Sequence, residues 1–168
     1  GDAMEDGSID HPFNDWSDVK WVEGNTYLQK RGTIAKTGKI IIGANKVTLE
    51  AYGEGDMPVV ESDARDFVFT VYEKNGITIT NYDIHGESAV SLVYFLGASC
   101  DNNVIEQCRF TGGNNGIRIM DGQKFIIRYN SFSQHTEAVY SFAENTELYY
   151  NVFHNNDYAV DIHSYLST

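Results

Sequence analysis

The chain has 168 residues, 42% hydrophobic content and a formal net charge of −12, which gives one domain with a continuous core and excludes a disordered chain. The acidic excess sets phosphate-backbone binding aside, so no nucleic-acid partner is expected, although a local basic groove can still take an anionic substrate. The apolar runs are too short for a transmembrane helix, so no membrane partner is expected.

No signal peptide is visible at the start. Residues 1–9 read as a disordered or tag-derived leader, and residues 10–168 as a single domain. Its first segment, 10–22, differs from the rest. Asn14 is a suitable helix N-cap, Asp15 falls in the first turn, and Trp16 and Val19 share a face. A short amphipathic helix here would plug the open end of a repeat array, which otherwise exposes core and strand edges.

Thr26 to Ile34, Lys39 to Ile42 and Val47 to Ala51 then read as short strands, punctuated by Gly32, Gly38 and Gly43. Gly53, Gly55 and Pro58 mark a turn into Val59 and Val60. With 15 glycines and 2 prolines, the composition favours strands and tight turns.

From here the chain repeats. Ile79, Ile105, Ile127 and Leu148 open four matching segments at spacings of 26, 22 and 21 residues. Each continues with a small or polar residue three positions on and Ile or Phe two after that. A second line of triplets begins at Phe69, Val93, Ile117, Val139 and Val160. Their outer residues should point inward and their middle ones outward. A third short strand falls near Ile84, Phe110, Phe132 and Phe153. Three strands in a coil of about 22 residues are the arithmetic of a parallel β-helix. The expected fold is all-β: a right-handed parallel β-helix of about five to six coils with a short N-terminal capping helix. Leucine is too scarce for a leucine-rich repeat.

Asn130 and Asn151 fill the inward turn position and should form a ladder that satisfies buried amides. Tyr82 and Cys108 occupy that position in earlier coils, and Phe110, Phe132 and Phe153 should stack beside it. Cys108 reads as a packing thiol; Cys100 sits in a turn, and a disulfide between the two stays open. Glu106 and Arg128 face outward on adjacent coils and read as a surface ion pair. His85, His135 and His154 lack zinc-ligand spacing, and no metal site is assigned to them.

The outward column of the second line is Tyr94, Arg118, Tyr140 and Asp161, spaced about 4.8 Å per coil. Two residues later come Leu96, Met120, Phe142 and His163.

The residues from Trp16 to Val19, Gly24 to Gly32, Lys39 to Ile42 and Ala51 to Val60 resemble the N-terminal region of the pectate-lyase-like right-handed β-helix superfamily. The branch resembled contains alginate lyases, chondroitinase B-like lyases and mannuronan epimerases. The resemblance implies a carbohydrate-active protein acting on uronate-containing polysaccharide, located outside the cell or in the periplasm. It implies that substrate lies along the face carrying Arg118. Arg118 would pair with a substrate carboxylate, and Tyr140 or His163 would exchange protons in a β-elimination or epimerisation. Tyr94 and Phe142 would stack on sugars, with Asp161 beside them as a further substrate contact. Calcium is the cofactor this resemblance allows, with oxygen donors at Asp63, Asp66, Asp101 to Asn103 and Asn155 to Asp157; turns use the same residues for their own hydrogen bonds. Two blander readings stand beside this one. Arg118 and Asp161 can be solvated surface residues, and the chain can be a non-catalytic glycan-binding or structural module, such as a spike or adhesin segment.

The final strand begins at Val160 and the sequence stops at Thr168. Further coils, a homo-oligomer through the open end, or a lid formed by Ser164 to Thr168 would each cover that end.

Overall fold

The computed structural model describes residues 11, 13 and 15–163. The leader 1–9, Asn14 and the lid segment 164–168 lie outside the described residues. Six coils of three strands each follow one another. The first holds β1 (Thr26–Lys30), β2 (Ile34–Thr37) and β3 (Ile40–Ile42), and the second β4 (Thr48–Tyr52), β5 (Val59–Ser62) and β6 (Phe67–Tyr72). The third holds β7 (Thr78–Thr80), β8 (Asp83–His85) and β9 (Ser91–Leu96), and the fourth β10 (Val104–Glu106), β11 (Arg109–Thr111) and β12 (Asn115–Ile119). The fifth holds β13 (Ile126–Arg128), β14 (Ser131–Ser133) and β15 (Glu137–Ser141), and the sixth β16 (Glu147–Tyr149), β17 (Val152–His154) and β18 (Tyr158–Ile162). Each strand pairs in parallel with its equivalents in the neighbouring coils, giving three six-stranded sheets. The first sheet starts with β1, the second with β2 and the third with β3. Among the described residues, no helix is long and apolar enough to cross a membrane.

The register is the one the repeats predict. Ile79 pairs with Ile105, Ile105 with Ile127 and Ile127 with Leu148. Phe69, Val93, Ile117, Val139 and Val160 align along the third sheet. Alternation makes this possible, since Ile117 and Ile119 are buried while Arg118 between them faces out. Phe132 stacks between Phe110 and Phe153, with ring centroids 4.9 and 5.2 Å away. At the sixth coil the inward positions Val160 and Ile162 are 40% and 52% exposed.

The asparagine ladder closes the turns between the first and second sheets. Asn130 Oδ1 accepts from the Cys108 backbone N–H at 3.0 Å, and Asn130 Nδ2 donates to the Ile105 carbonyl at 2.9 Å. Asn151 repeats the pattern one coil later, accepting from Asn130 N and donating to the Ile127 carbonyl. Tyr82 substitutes by donating its hydroxyl to the Glu50 carbonyl at 3.2 Å. Cys108 is buried there, with its Sγ 3.2 Å from the Glu106 carbonyl.

Two expectations need correction, and one question left open is decided. The stretch from Thr26 to Ile34 is not one strand: Gly32, at φ +76°, turns the chain, and β1 and β2 join different sheets. A positive φ of this kind suits glycine, which carries no Cβ. The N-terminal helix is one 3₁₀ turn, Trp16–Asp18, and its cap is Asp15, whose carboxylate accepts from Ser17 N at 2.8 Å. The turn still covers the core: Trp16 lies edge-on to Phe69 and Tyr82, each at 6.3 Å, and stacks on Trp21. Cys100 and Cys108 are free thiols, both buried, and form no disulfide.

His135 is buried between the second and third sheets, where its Nε2 lies 3.2 Å from the Phe110 carbonyl and its ring lies 6.2 Å from Phe132. Burial pushes its pKa below the usual imidazole value. The fold therefore prefers neutral His135, and the unfolded chain takes up the proton first as pH falls. The resulting stability is present above the unfolded value near 6.5 and is lost as pH drops through it toward the folded value. His85 has the opposite sign, because Asp83 at 2.7 Å raises its pKa. Replacing His135→Phe is expected to flatten the fall in Tm between about pH 7 and about pH 5. Parallel curves for variant and parent would show that His135 does not carry this dependence.

Candidate functional site

The third sheet turns one chemically coherent face to solvent. In register along it lie Ile41, Thr70, Tyr94, Arg118, Tyr140 and Asp161. A second column runs two residues later. Tyr72 pairs with Leu96. Met120, Phe142 and His163 continue the column, each held by its backbone N–H to the preceding coil. Both columns follow from period-two alternation over a buried aliphatic layer.

The side chains converge at the C-terminal half of this face. The Arg118 guanidinium lies over the Tyr140 ring at 5.1 Å, and its Nε donates to Met120 Sδ at 3.2 Å. Tyr140 meets Phe142 edge-on at 5.4 Å. The His163 imidazole stacks on Phe142 at 4.8 Å and lies 5.1 Å from the Tyr140 ring. Its Nε2 is 3.1 Å from Asp161 Oδ2. A carboxylate on Nε2 fixes the tautomer, so the lone pair of neutral His163 resides on Nδ1. One cation and one oriented imidazole thus flank one phenol ring, each 5.1 Å from its centroid, with aromatic surface beside them.

Of the residues expected to act together, Arg118, Tyr140, Phe142, Asp161 and His163 form this cluster. Tyr94 sits beside Arg118 in register, but its ring stacks on Phe67 at 3.9 Å and 10°. Lys39 lies over the far partner, 5.5 Å from the Phe67 centroid, and pairs with Asp66. Phe67 and Tyr72 therefore extend the aromatic face toward the N-terminal coils, and sequence reasoning did not single them out. Tyr72 was recoverable from the Leu96 column. Phe67 was not, because alternation breaks at Val68, which is buried next to buried Phe69.

Several of the turn residues named for calcium are engaged by neighbouring groups. Asp101 Oδ1 accepts from Gln123 N at 3.0 Å, Asn103 Oδ1 from Ile77 N at 2.8 Å and Asn156 Oδ1 from His135 N at 3.0 Å. Asp66 is engaged by Lys39. Among the described residues, no three His, Cys, Asp or Glu side chains converge on a metal position. His85 and His154 lie in the same column of the second sheet, with Thr111 and Ser133 between them, while His135 is buried. Glu106 and Arg128 pair at 2.6 Å as expected, and Arg128 also donates to the Tyr149 hydroxyl at 2.9 Å. These two contacts raise the Arg128 pKa, so the guanidinium stays charged.

A family model described as right-handed beta helix region matches residues 34–167. No curated protein and no solved structure matches the chain.

Proposed function

The chain belongs to the right-handed β-helix family, and on that premise we propose that the outer face of its third sheet binds a uronate-containing polysaccharide and acts on it as a lyase or C5-epimerase. The observation that carries this reading is the contact cluster of Arg118, Tyr140 and the His163–Asp161 pair. Aromatic faces at Tyr140 and Phe142 suit the apolar faces of sugar rings. A guanidinium pairs bidentately with a carboxylate. With its carboxylate held by Arg118, a uronate would have an acidified C5–H.

In this mechanism His163 Nδ1 takes the C5 proton as general base, and Asp161 stabilises the imidazolium that forms. For elimination, the electron pair left at C5 forms the C4–C5 double bond as the C4–O4 bond breaks. Tyr140 then gives its hydroxyl proton to the departing O4. For epimerisation, the O4 bond survives and Tyr140 gives its hydroxyl proton to C5 from the opposite side. Arg118 would first leave Met120 and turn toward the substrate. The protein is expected to act outside the cytoplasm, where such polysaccharides are met.

The test supplies alginate, pectate and chondroitin and follows the absorbance of the unsaturated uronate, with NMR of the polymer to detect C5 inversion. Turnover is expected with one class, reduced about a hundredfold or more by His163→Ala. No product and no inversion with any of them would remove the catalytic reading. A non-catalytic glycan-binding module is the second reading. It is favoured by the resting contacts of the cluster, in which Arg118 and His163 are already partnered on the face itself. Saturable binding without turnover would establish it.

A further inference from the structure

We propose that the corner between the first and second sheets is a second glycan groove, which holds a linear acidic polysaccharide along the solenoid axis. It rests on the reading of the chain as a glycan-binding protein, but uses none of the third-sheet residues. One wall is the column Asn81, Gln107, Tyr129 and Tyr150, the residues that turn the chain from the first sheet to the second. The other is the register column Arg109, Ser131 and Val152. Between them runs a groove of about 450 Å³, floored by Cys108 and Asn130.

Three observations point to a ligand. Tyr129 and Tyr150 are 51% and 73% exposed and stacked at 5.2 Å, so aromatic surface repeats from coil to coil. Both also sit at positive φ, +57° and +55°, where a bulky side chain is disfavoured and Asn or Gly would be easier. The same turn recurs at Asn81 and Gln107 and at other corners of the coils, so the backbone belongs to the repeat, and what distinguishes this corner is the bulky ring placed on it. The third observation is charge: Arg109 lines the groove, and Arg31 and Arg128 reach its rim at Asn81 and Tyr129, Arg128 with its charge already paired to Glu106. Arg109 is held only loosely by Asp83, at 3.8 Å, and its side chain is 61% exposed. Arg31 donates to Asn81 Oδ1 at 3.3 Å, and Arg128 lies 5.9 Å from the Tyr129 centroid.

The donor set selects a sugar chain. Side-chain amides, a serine hydroxyl, guanidinium groups and tyrosine rings are what hydroxyls, carboxylates and sugar faces require. A peptide would dock by adding a strand to a free edge. The strands flanking the groove in the fourth and fifth coils are paired on both sides and offer none. The columns step by about 4.8 Å per coil, so an extended chain would meet similar contacts at successive coils.

The test is an amide-shift titration of the labelled protein with alginate hexasaccharides. Saturable shifts are expected at Gln107, Arg109, Tyr129, Ser131 and Tyr150. Tyr150→Ala with Arg109→Ala should weaken them about tenfold (~1.4 kcal/mol) and leave shifts at Arg118, Tyr140 and His163 intact. Shifts confined to the third sheet would overturn the groove and leave the proposed function standing. Shifts confined to the corner would support the groove and count against the third-sheet site. No shifts anywhere, with pectate and chondroitin hexasaccharides titrated in turn, would overturn both. An acidic peptide that shifts the corner amides as strongly would overturn the assignment to glycan.

Discussion

Phe132→Ala is expected to destabilise the fold by about 3–5 kcal/mol, the range for deleting a fully buried aromatic ring. Phe132 is fully buried and sandwiched by Phe110 and Phe153, so truncation opens a void shared by three coils. Nothing short of moving a coil can fill it, because the spacing of the coils is fixed by their backbone ladders. In a solenoid each coil contacts only its neighbours, so the damage is local and falls on the interfaces that hold the fifth coil. Urea unfolding should show a lower midpoint and a reduced slope, as the last coils detach before the rest. A loss under about 1 kcal/mol with unchanged slope would mean that the aromatic stack does not couple the coils.

Asn130→Ala is expected to cost about 2–5 kcal/mol by a different route. The amide satisfies the Cys108 N–H and the Ile105 carbonyl, and also meets Asn151 Oδ1 at 3.1 Å. Alanine leaves both backbone groups buried without those partners, and the penalty is their desolvation. Asn130→Asp keeps the acceptor and, only while protonated, one donor, so it should fall between the parent and alanine below the carboxylate pKa, and lower above it. Hydrogen exchange at the Cys108 amide reads the loss directly. Protection there equal to the parent would contradict this account.

Much of this architecture was legible because a solenoid writes its register as spacing. Ile105, Ile127 and Leu148 recur at 22 and 21 residues, and those intervals are the coil lengths. The N-terminal coils were less legible. The turn from Tyr52 to Pro58 lengthens the second coil, and Gly32 divides what reads as one strand. The cap was displaced by one residue, from Asn14 to Asp15, since either can accept the same kind of bond.

The third-sheet cluster could be read from period-two alternation alone, which brings Arg118, Tyr140 and Asp161 into one column. The contacts among them could not, because they depend on rotamers. The corner groove was hidden for a backbone reason. Between outward Arg128 and inward Asn130, residue 129 adopts positive φ and breaks the alternation. A reading that assumes strict alternation has no place for Tyr129 or Tyr150. The three-residue interval from Ile127 to Asn130 was the available signal.

The most direct test of the central claim measures affinity for alginate, pectate and chondroitin oligosaccharides in the parent, Arg118→Ala and Tyr140→Ala. Both residues are part-exposed on the third sheet, so the variants should fold as the parent does. The account predicts saturable binding to one glycan class, weakened about tenfold or more by either substitution. Binding that neither substitution changes would contradict it.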